Sequence, residues 1–508
     1  MDFETTREPI GMDRAVFCGS SEQPIDLDIS LPDYCPDISR ILKCQAVPQV
    51  TSRSLVGDRL TVEGSTIIRI FYADEEGKLR CCELNSAFSS DFNLRTVPEM
   101  PAIFTDIRVD FMNCRAVTKR RVDIHCAFTV TARVWARQTV ELLERASGAG
   151  IRIRTAVAQT CTHIGTVQQP ISISEEFAVE HDRPAPETIL CFAANGWITD
   201  QKQVVDKMML KGTIQLHVLY STDVQTGRTD TVEYTVPFSS IVDMEGLDAD
   251  CDCDARLELL STQVRLQSSD GGDPAAFEAE IRGAVCVTAS RAKTVELVTD
   301  AYSTECELQL EPETVSLPVR VEPLQRAITA KGSVDCGGAA QILDVWAEPR
   351  SVSGQYKDGA LEITGRICAA VLFCNAEEQA DYREALLDYS DRIPWDAAGA
   401  EWDLQTRVER IAYRPDGGGS IELKADLTVS SSAHAQQKYT VLHQLTPDPQ
   451  RPKEKDSSCA MILYYADAGE QLWDIARRYN TTEQAIRQEN DLTGDVVEQN
   501  GMLMIPIV

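Results

Sequence analysis

Alternating apolar and polar positions dominate the first 445 residues of the chain. Segments with this pattern include VEGSTIIRIFY, LKGTIQLHVLY and ITGRICAAVLF, and turn-rich stretches such as ADEEGK, STDVQTGR and RPDGGGS lie between such segments. A period of two bounded by turn residues is typical of antiparallel strands joined by hairpins. The pattern therefore predicts a mainly antiparallel β fold for this part of the chain.

The three apolar segments are copies of one repeat, and they align on Gly64, Gly212 and Gly365. Four more positions agree at fixed distances from the glycine: Leu42, Leu190 and Leu343; Ala46, Ala194 and Ala347; Ile70, Val218 and Val371; and Tyr72, Tyr220 and Phe373. Agreement at several fixed offsets predicts a tandem repeat of about 150 residues. A repeated domain provides several copies of a binding surface rather than a catalytic centre. The repeat therefore favours a protein that spaces or assembles partners over an enzyme.

The repeats and the segments around them divide the chain into six parts. The predicted parts are an N-terminal arm (1–23), three β-rich repeats (24–165, 166–312 and 313–445), a linker (446–458) and a small C-terminal module (459–508). The linker is assigned to TPDPQRPKEKDSS, which has no apolar periodicity and holds three prolines, as expected of a stiff solvated segment. Each repeat is expected to begin with a short helical turn, as in PDISRIL.

The C-terminal module changes from strand-like to helical periodicity. Leu472, Ile475, Ala476 and Tyr479 fall at positions i, i+3, i+4 and i+7, which predicts one buried helix face. A second helix is predicted to start at the capping box TTEQ (481–484), with a threonine hydroxyl accepting from the N–H of residue 484. The apolar segments MILYY and MLMIP flank the helices, so the predicted order is strand, helix, helix, strand.

Composition and charge exclude several classes of partner. The chain is 43% hydrophobic and 25% charged, as in folded proteins, and its net charge of −30 repels phosphate backbones and anionic headgroups. We therefore expect no nucleic-acid partner. No run of about 18 apolar residues predicts a transmembrane segment, and MDFETTREPIGMDR lacks the basic and apolar regions of a signal peptide, so the chain is expected to stay in the cytoplasm.

Candidate chemistry is sparse. The seventeen cysteines have no regular spacing and are interpreted as reduced thiols in a reducing compartment. Alternating acids at Asp248, Asp250, Asp252 and Asp254 could face a calcium ion, but the glycine and the final glutamate of an EF-hand are missing, which favours a solvated acidic loop. No motif pairs a nucleophile with a base, binds phosphate or has zinc spacing. The sequence predicts a protein that is not an enzyme, with no catalytic residue, no metal and no cofactor.

The C-terminal module resembles the LysM family. The residues that carry the resemblance are Tyr465, Gly469-Glu470-Gln471-Leu472, Ile475-Ala476, Asn490, Leu492, Gly501, Leu503, Ile505 and Pro506. The resemblance implies an α+β module of order βααβ, with a shallow groove that receives N-acetylglucosamine units of peptidoglycan or chitin. The groove residues that it implies are Gly469, Glu470, Gln471, Leu472, Trp473, Asn490, Asp491 and Leu492.

Two features of the module leave its ligand open between a glycan and a protein. Gln471 replaces the usual threonine and Glu470 the usual aspartate, and the eight acids and three arginines of 459–508 give a net charge of −5. Such charge steers a basic protein surface more than a neutral sugar. Trp473 has two interpretations, an exposed stacking platform or a core aromatic packed on the second helix.

The whole arrangement, β-rich repeats followed by one LysM module, resembles proteins with SPOCS domains from spore-forming bacteria. That resemblance implies a non-enzymatic spore-coat morphogenetic scaffold in the mother-cell cytoplasm, at the forespore surface and in the spore coat. It also implies that the LysM module binds the coat-basement ATPase or other coat proteins, and that the repeats contact further components. The alternative is a cell-wall protein that binds the N-acetylglucosamine glycan of peptidoglycan.

Overall fold

A computed structural model describes most of the chain. The described residues are 3–180, 182–267, 276–319, 323–395, 401–453 and 459–507. Residues 454–458 of the predicted linker lie outside them, as do the first two residues of the predicted arm and the last residue of the module. The predicted class is confirmed: three antiparallel β-rich repeats precede a small module with two short helices.

Each repeat is built from six strands or their equivalent. Repeat 1 contains β1 (Phe3–Ser30), β2 (Ile38–Val56), β3 (Arg59–Asp74), β4 (Leu79–Asn93), β5 (Ala102–Thr118) and β6 (Arg121–Gly148). Repeat 2 contains β7 (Ile151–Ala178), β8 (Thr188–Val204), β9 (Lys207–Asp223), β10 (Arg228–Asp243), β11 (Cys251–Gln267) and β12 (Ala276–Ser303). Repeat 3 contains β13 (Cys306–Val319), β14 (Leu324–Asp335), β15 (Gln341–Lys357), β16 (Ala360–Cys374), β17 (Ala380–Pro394), β18 (Glu401–Pro415) and β19 (Ser420–Pro452).

Every repeat is a sandwich of two antiparallel sheets. In repeat 1 the consecutive strands β2, β3 and β4 form one sheet, and β1, β6 and β5 form the other. Repeat 2 has the same topology, and in repeat 3 the first long strand is divided into β13 and β14, which both pair with β19. Ile25 of β1, Ile68 of β3 and Val130 of β6 meet in the core between the two sheets of repeat 1.

The repeated glycine lies opposite an aromatic residue in all three copies. The cross-strand pairs are Gly64 with Phe88, Gly212 with Phe238, and Gly365 with Tyr389. A Cβ at any of these glycines would lie well under 3.0 Å from the partner ring. The ring therefore covers the backbone where a side chain would otherwise stand, which explains why each copy carries glycine there.

The middle strand of each repeat is buried on both faces toward its C-terminal end. Tyr72, Tyr220 and Phe373 point into the cores of their own repeats. The preceding residues, Phe71, Leu219 and Leu372, point the other way into a single cluster to which all three repeats contribute. The repeated leucines Leu42, Leu190 and Leu343 also line this cluster. The short apolar runs IFY, VLY and VLF near the ends of β3, β9 and β16 follow from burial on both faces.

The repeats close into a ring of three. Arg69 of repeat 1 donates to the carbonyl oxygen of Phe192 in repeat 2 at 3.0 Å. His217 of repeat 2 lies 3.1 Å from the carboxylate of Asp344 in repeat 3, and Lys43 of repeat 1 completes the circle with a 2.6 Å bond to Glu384 of repeat 3. Each sandwich therefore contacts both of the others.

The long first and last strands of the repeats provide a second set of contacts that holds the ring together. Paired along their length, β1 with β6, β7 with β12, and β13 with β19 form ribbons that extend beyond the sandwiches. The ribbons share an apolar core that includes Ile10, Leu142, Ala158, Leu297, Leu317 and Val441. Each ribbon belongs to one repeat by pairing, and this shared core joins it to the ribbons of the other two.

The sheets divide the chain at other residues than the sequence pattern does. The strands of the three repeats span 3–148, 151–303 and 306–452, so the predicted boundaries after residues 23, 165 and 312 fall inside β1, β7 and β13. Residues 3–23 of the predicted arm belong to β1, and residues 446–452 of the predicted linker belong to β19. The reason is that β1 pairs with β6 across most of a repeat, whereas the repeated sequence pattern lies in the strands between them.

Two further expectations are corrected. PDISRIL forms no helix: its first two residues follow a turn without regular structure, and β2 begins at Ile38, because the isoleucines of this segment enter the sheet. Cys44 of β2 and Cys114 of β5 form a disulfide with a Cα separation of 6.2 Å, so the prediction of reduced thiols is wrong for this pair. A spacing of 70 residues gave no signal for this disulfide in the sequence.

We expect Gly365→Ala to destabilise the protein, because the new methyl group would overlap the Tyr389 ring. Overpacking of this kind lowers the free energy of unfolding by about 1–3 kcal/mol. Gly418→Ala is the matched control, since a Cβ there meets only the Asp416 carboxylate at an ordinary 3.5 Å. Chemical denaturation of both variants measures the difference, and equal losses would contradict the role given to the aromatic partner.

We also expect the contact between repeats 2 and 3 to weaken as the pH rises. Burial opposes protonation of His217, but hydrogen bonding to Asp344 and the charges of Asp344 and Glu233 outweigh it and raise its pKa. The resulting stabilisation is complete below the unfolded histidine pKa of about 6.5 and is lost as the pH rises through the higher folded value.

His217→Gln should remove this part of the stability. The melting temperatures of the two proteins should therefore differ more near pH 6 than near pH 8.5, which lie on either side of the histidine range. Asp344→Asn should flatten the same pH dependence, because it removes the charge that favours the protonated ring. A difference that stays constant over this range would contradict the assignment.

Candidate functional site

The C-terminal module has the predicted order of elements. It contains β20 (Met461–Ala466), α1 (Leu472–Arg478), α2 (Glu483–Glu489) and β21 (Gly501–Pro506), and the two strands pair antiparallel. Leu472, Ile475 and Ala476 are buried, as the helical pattern predicts, and Tyr479 caps the helix. The cap of α2 is corrected by one residue: Thr482 is the N-cap, and its hydroxyl accepts from the N–H of Ala485 at 3.1 Å.

The two loops that border the predicted groove are bonded to each other. The N–H of Gly469 donates to the carbonyl of Val497 at 2.8 Å, and the N–H of Leu472 donates to that of Asp495 at 2.9 Å. Gly469 has a φ of +96°, which suits glycine. The loop after β20 and the loop after α2 therefore form one continuous surface.

Three of the predicted groove residues stabilise the module itself. Leu472 is fully buried in its core. The Glu470 carboxylate accepts from the Tyr464 hydroxyl at 2.9 Å. The Asn490 side chain donates to the carbonyl of Met504 and accepts from its N–H, both at 2.7 Å, and thereby ties the end of α2 to β21. These side chains shape the groove rather than reach into it.

The remaining loop residues are available to a ligand. Gly469 and Asp491 are exposed, and Gln471 and Leu492 are half-buried. Asp491 adopts a φ of +54°, a conformation that aspartate tolerates better than most residues. The candidate ligand surface thus consists of backbone and short polar groups around one partly covered leucine.

Trp473 packs on repeat 2. Its indole N–H donates to the Asp300 carboxylate at 2.9 Å, and its ring meets that of Tyr302 edge-on at 4.8 Å between centroids. With 4% of its surface exposed, Trp473 is not a platform on which a ligand could stack. Of the two interpretations, the buried one describes this structure: Trp473 belongs to the core cluster that holds Ile486 of α2, and a β-strand of another domain covers it as well.

Two other contacts complete this docking interface. Arg477 forms an ion pair with Asp300 at 2.9 Å, and the Tyr302 hydroxyl donates to the carbonyl of Thr481 at 2.9 Å. Burial, together with the charge of Glu483, raises the pKa of Tyr302 to about 12, so that this hydroxyl keeps its proton. The module is thereby fixed to the end of β12 through α1 and the turn after it.

The sequence did not predict a role for Asp300 or Tyr302, because no motif distinguishes them from other residues of a repeat strand. Asp300 follows a bulge in β12, and the same bulge in β6 is followed by Arg145. An arginine there would repel Arg477. The corresponding residue to Tyr302 is Ser147, which offers no ring to Trp473. Repeat 2 therefore accepts the module where repeat 1 would not.

The predicted acidic loop and the search for membrane-spanning helices give no further functional site among the described residues. Asp248 of the acidic loop forms a 2.6 Å ion pair with Arg291, and no group of three or more possible metal ligands occurs among the described residues. None of the helices in the described part of the chain has the length and apolar character needed to span a bilayer.

Asp300→Ala should release the module from repeat 2, because it removes the partner of both Trp473 and Arg477. A lost hydrogen bond to a charged group weakens a contact by about 1.5–3 kcal/mol, which would speed amide exchange in α1 about tenfold or more. Asp248→Ala is the control, since it breaks a similar pair with an arginine elsewhere in repeat 2. Unchanged exchange in α1 would show that the interface does not hold the module.

Comparison with family models identifies two kinds of domain. The model described as SipL, SPOCS domain matches residues 37–117 and 187–267, and the LysM domain model matches residues 467–506. The first two matches run from β2 to β5 and from β8 to β11, without the long ribbon strands. Neither the curated proteins nor the solved structures gave a match. The chain thus carries SPOCS domains in its first two repeats and a LysM domain at its C-terminal end.

Proposed function

We propose that this protein is a non-enzymatic scaffold of spore-coat assembly, which tethers coat components to the forespore surface through its LysM domain and its repeats. The SPOCS domains indicate a role related to sporulation, and the LysM domain indicates glycan binding. The proposed partners are the coat-basement ATPase or other coat proteins, and the proposed location is the mother-cell cytoplasm.

The docking of the LysM domain on repeat 2 is the observation that carries this proposal. Asp300 binds Trp473 and Arg477 together, and Tyr302 fills the space beside them. A binding domain on a flexible tether searches a volume, whereas one fixed to a rigid body presents its partner in one orientation. Fixed orientation is what a layered assembly requires of its building blocks.

The distribution of polar groups also supports a scaffold. In the LysM domain, the side chains of Glu470 and Asn490 are bonded within the domain. Arg69, His217 and Lys43 close the ring between repeats. These groups hold domains together and do not converge on a shared cavity.

Peptidoglycan binding is the second candidate, and the LysM match itself favours it. Gly469, Gln471, Asp491 and Leu492 leave a polar surface with a small apolar patch, which could receive a sugar ring. The two candidates differ in where the ligand lies, because a glycan of the cell wall is reached only outside the cytoplasmic membrane.

The double variant Gln471→Lys/Asp491→Lys should decide between them. We expect it to reduce capture of the coat-basement ATPase at least about tenfold, the effect of roughly 1.4 kcal/mol, while sedimentation with purified cell wall stays negligible for both proteins. The matched control is Gln499→Lys/Glu498→Lys, which makes the same charge change at exposed residues outside the groove. Wall sedimentation that the groove variant alone abolishes would favour the glycan, and ATPase capture equal to wild type would exclude the groove as the docking site.

A further inference from the structure

An exposed apolar patch lies in repeat 2, at the end of the sheet formed by β8, β9 and β10. Met209 of β9 and Ile241 of β10 are direct cross-strand partners, and they are 46% and 57% exposed. Val204 at the end of β8 and Val205 in the turn after it are 43% and 71% exposed. These four exposed apolar side chains lie at the same end of the sheet and are here called the repeat-2 patch.

The other two repeats show that the fold does not require this patch. The residues in the place of Met209 and Ile241 are Thr61 and Asp91 in repeat 1, bonded at 2.7 Å. In repeat 3 they are Glu362 and Arg392, which form an ion pair at 3.9 Å. Repeats 1 and 3 thus have polar residues at the two positions where repeat 2 has apolar ones.

Lysines border the repeat-2 patch. Lys202 is the partner of Met209 in β8, and Lys211, whose own partner in β8 is Asp200, lies two residues further along β9 on the same face. Both are exposed, and neither forms an ion pair with a described residue, whereas Lys207 is paired with Asp243 at 3.0 Å. In a chain of net charge −30, this is a local site for an acidic partner.

The LysM domain exposes a second apolar surface. Leu463 pairs with Met504 and Tyr465 with Met502 across β20 and β21, and the four side chains are 38–64% exposed. Together with Met461 they form the LysM face, which lies on the side of the sheet away from the domain core. Docking on repeat 2 leaves this face open, because it uses α1 and the turn after it.

The rim of the LysM face is acidic. The three arginines of the domain are occupied elsewhere, Arg477 by Asp300, Arg478 by Tyr464 and Arg487 by Asp495. Asp467 directly follows β20, and Glu489, Asp491 and Glu498 are further exposed acids of the domain. Glu489 and Asp491 flank Asn490, whose side chain is bonded to the backbone of Met504.

We propose that the LysM face of one chain docks on the repeat-2 patch of a second copy. Both surfaces are apolar, and the acidic rim of one matches the lysines of the other. Since the two surfaces differ, the contact is head-to-tail, and it leaves a free surface at each end for the next copy. The inference goes beyond the proposed function, because it concerns self-association and requires no coat partner.

An anionic membrane is a less suitable occupant of the repeat-2 patch. Two unpaired lysines attract a small acidic surface at short range, but the net charge of −30 opposes the approach of the whole chain to an anionic bilayer. A contact of a few side chains on each partner belongs to the small, weak class of interfaces. Association is therefore expected at micromolar protein concentrations and to strengthen on a lattice.

Light scattering after size exclusion, at increasing concentrations of the full chain, tests the proposal. The mass of the wild type should rise with concentration. Met209→Ser/Ile241→Ser and Leu463→Ser/Met504→Ser should each remain monomeric, and an equimolar mixture of the two should stop at a dimer, because only one intact pair of surfaces remains. Leu386→Ser is the control, since Leu386 is 59% exposed in repeat 3 and belongs to neither surface.

Reversal of charge separates this contact from unspecific hydrophobic association. Lys202→Glu/Lys211→Glu should weaken self-association at least about tenfold, and adding Asp467→Lys/Glu489→Lys in the same chain should restore it. A wild type that stays monomeric, a mixture that grows beyond the dimer, or binding to anionic phosphatidylserine vesicles without self-association would overturn the proposal. None of these outcomes depends on capture of the ATPase, so failure of this proposal and failure of the proposed function can be distinguished.

Discussion

Burial of the middle strand on both faces is the constraint on which the rest of the structure depends. Alternate residues of β3, β9 and β16 point into a sandwich and into the cluster shared by all three repeats, so neither set can be satisfied by a repeat alone. A single sandwich would expose Phe71, or its counterpart Leu219 or Leu372, to water. Since burial of one large apolar side chain contributes about 1.5–3 kcal/mol, ring closure is part of folding rather than a later assembly step. The covalent connection of the three copies removes the entropic cost that separate chains would face on association.

Joining three copies in one chain also permits them to diverge, and repeat 2 differs from its neighbours at two surface positions described above. Asp300 and Tyr302 occur only in the repeat that receives the LysM domain, although that domain is covalently attached to repeat 3. Met209 and Ile241 replace polar pairs in the same repeat. Repeat 2 has thus acquired both a docking interface and an apolar patch, while its buried positions match those of its neighbours. A ring of identical chains could not assign such roles to one member.

The sequence was informative where the interactions are local. Alternation predicts the strands, the helical stripe predicts α1 from Leu472, and the spacing of Gly64, Gly212 and Gly365 reveals the repeat, because each of these patterns arises within one element or one hairpin. Residues that are far apart in sequence meet in the ring, in the ribbons and in the contact of Trp473 with Asp300. A single acidic or aromatic residue in the sequence does not indicate which distant residue it will contact. The groove residues show the same contrast between local and distant information. The resemblance predicts which loops border the groove, but only the structure shows that the side chains of Glu470 and Asn490 are hydrogen-bonded within the domain.

The position of Trp473 changes how substitutions in the LysM domain should be interpreted. A residue beside a groove is usually assigned to ligand binding, and loss of partner capture on its replacement is then taken as loss of a direct contact. Here the indole is fixed between Asp300 and Tyr302, so its removal alters the orientation of the whole domain relative to the ring. If orientation determines whether many weak contacts form together on a lattice, such a variant could lose assembly while its groove still binds. Affinity of the isolated domain and assembly of the full chain are therefore separate properties, and Trp473 belongs to the second.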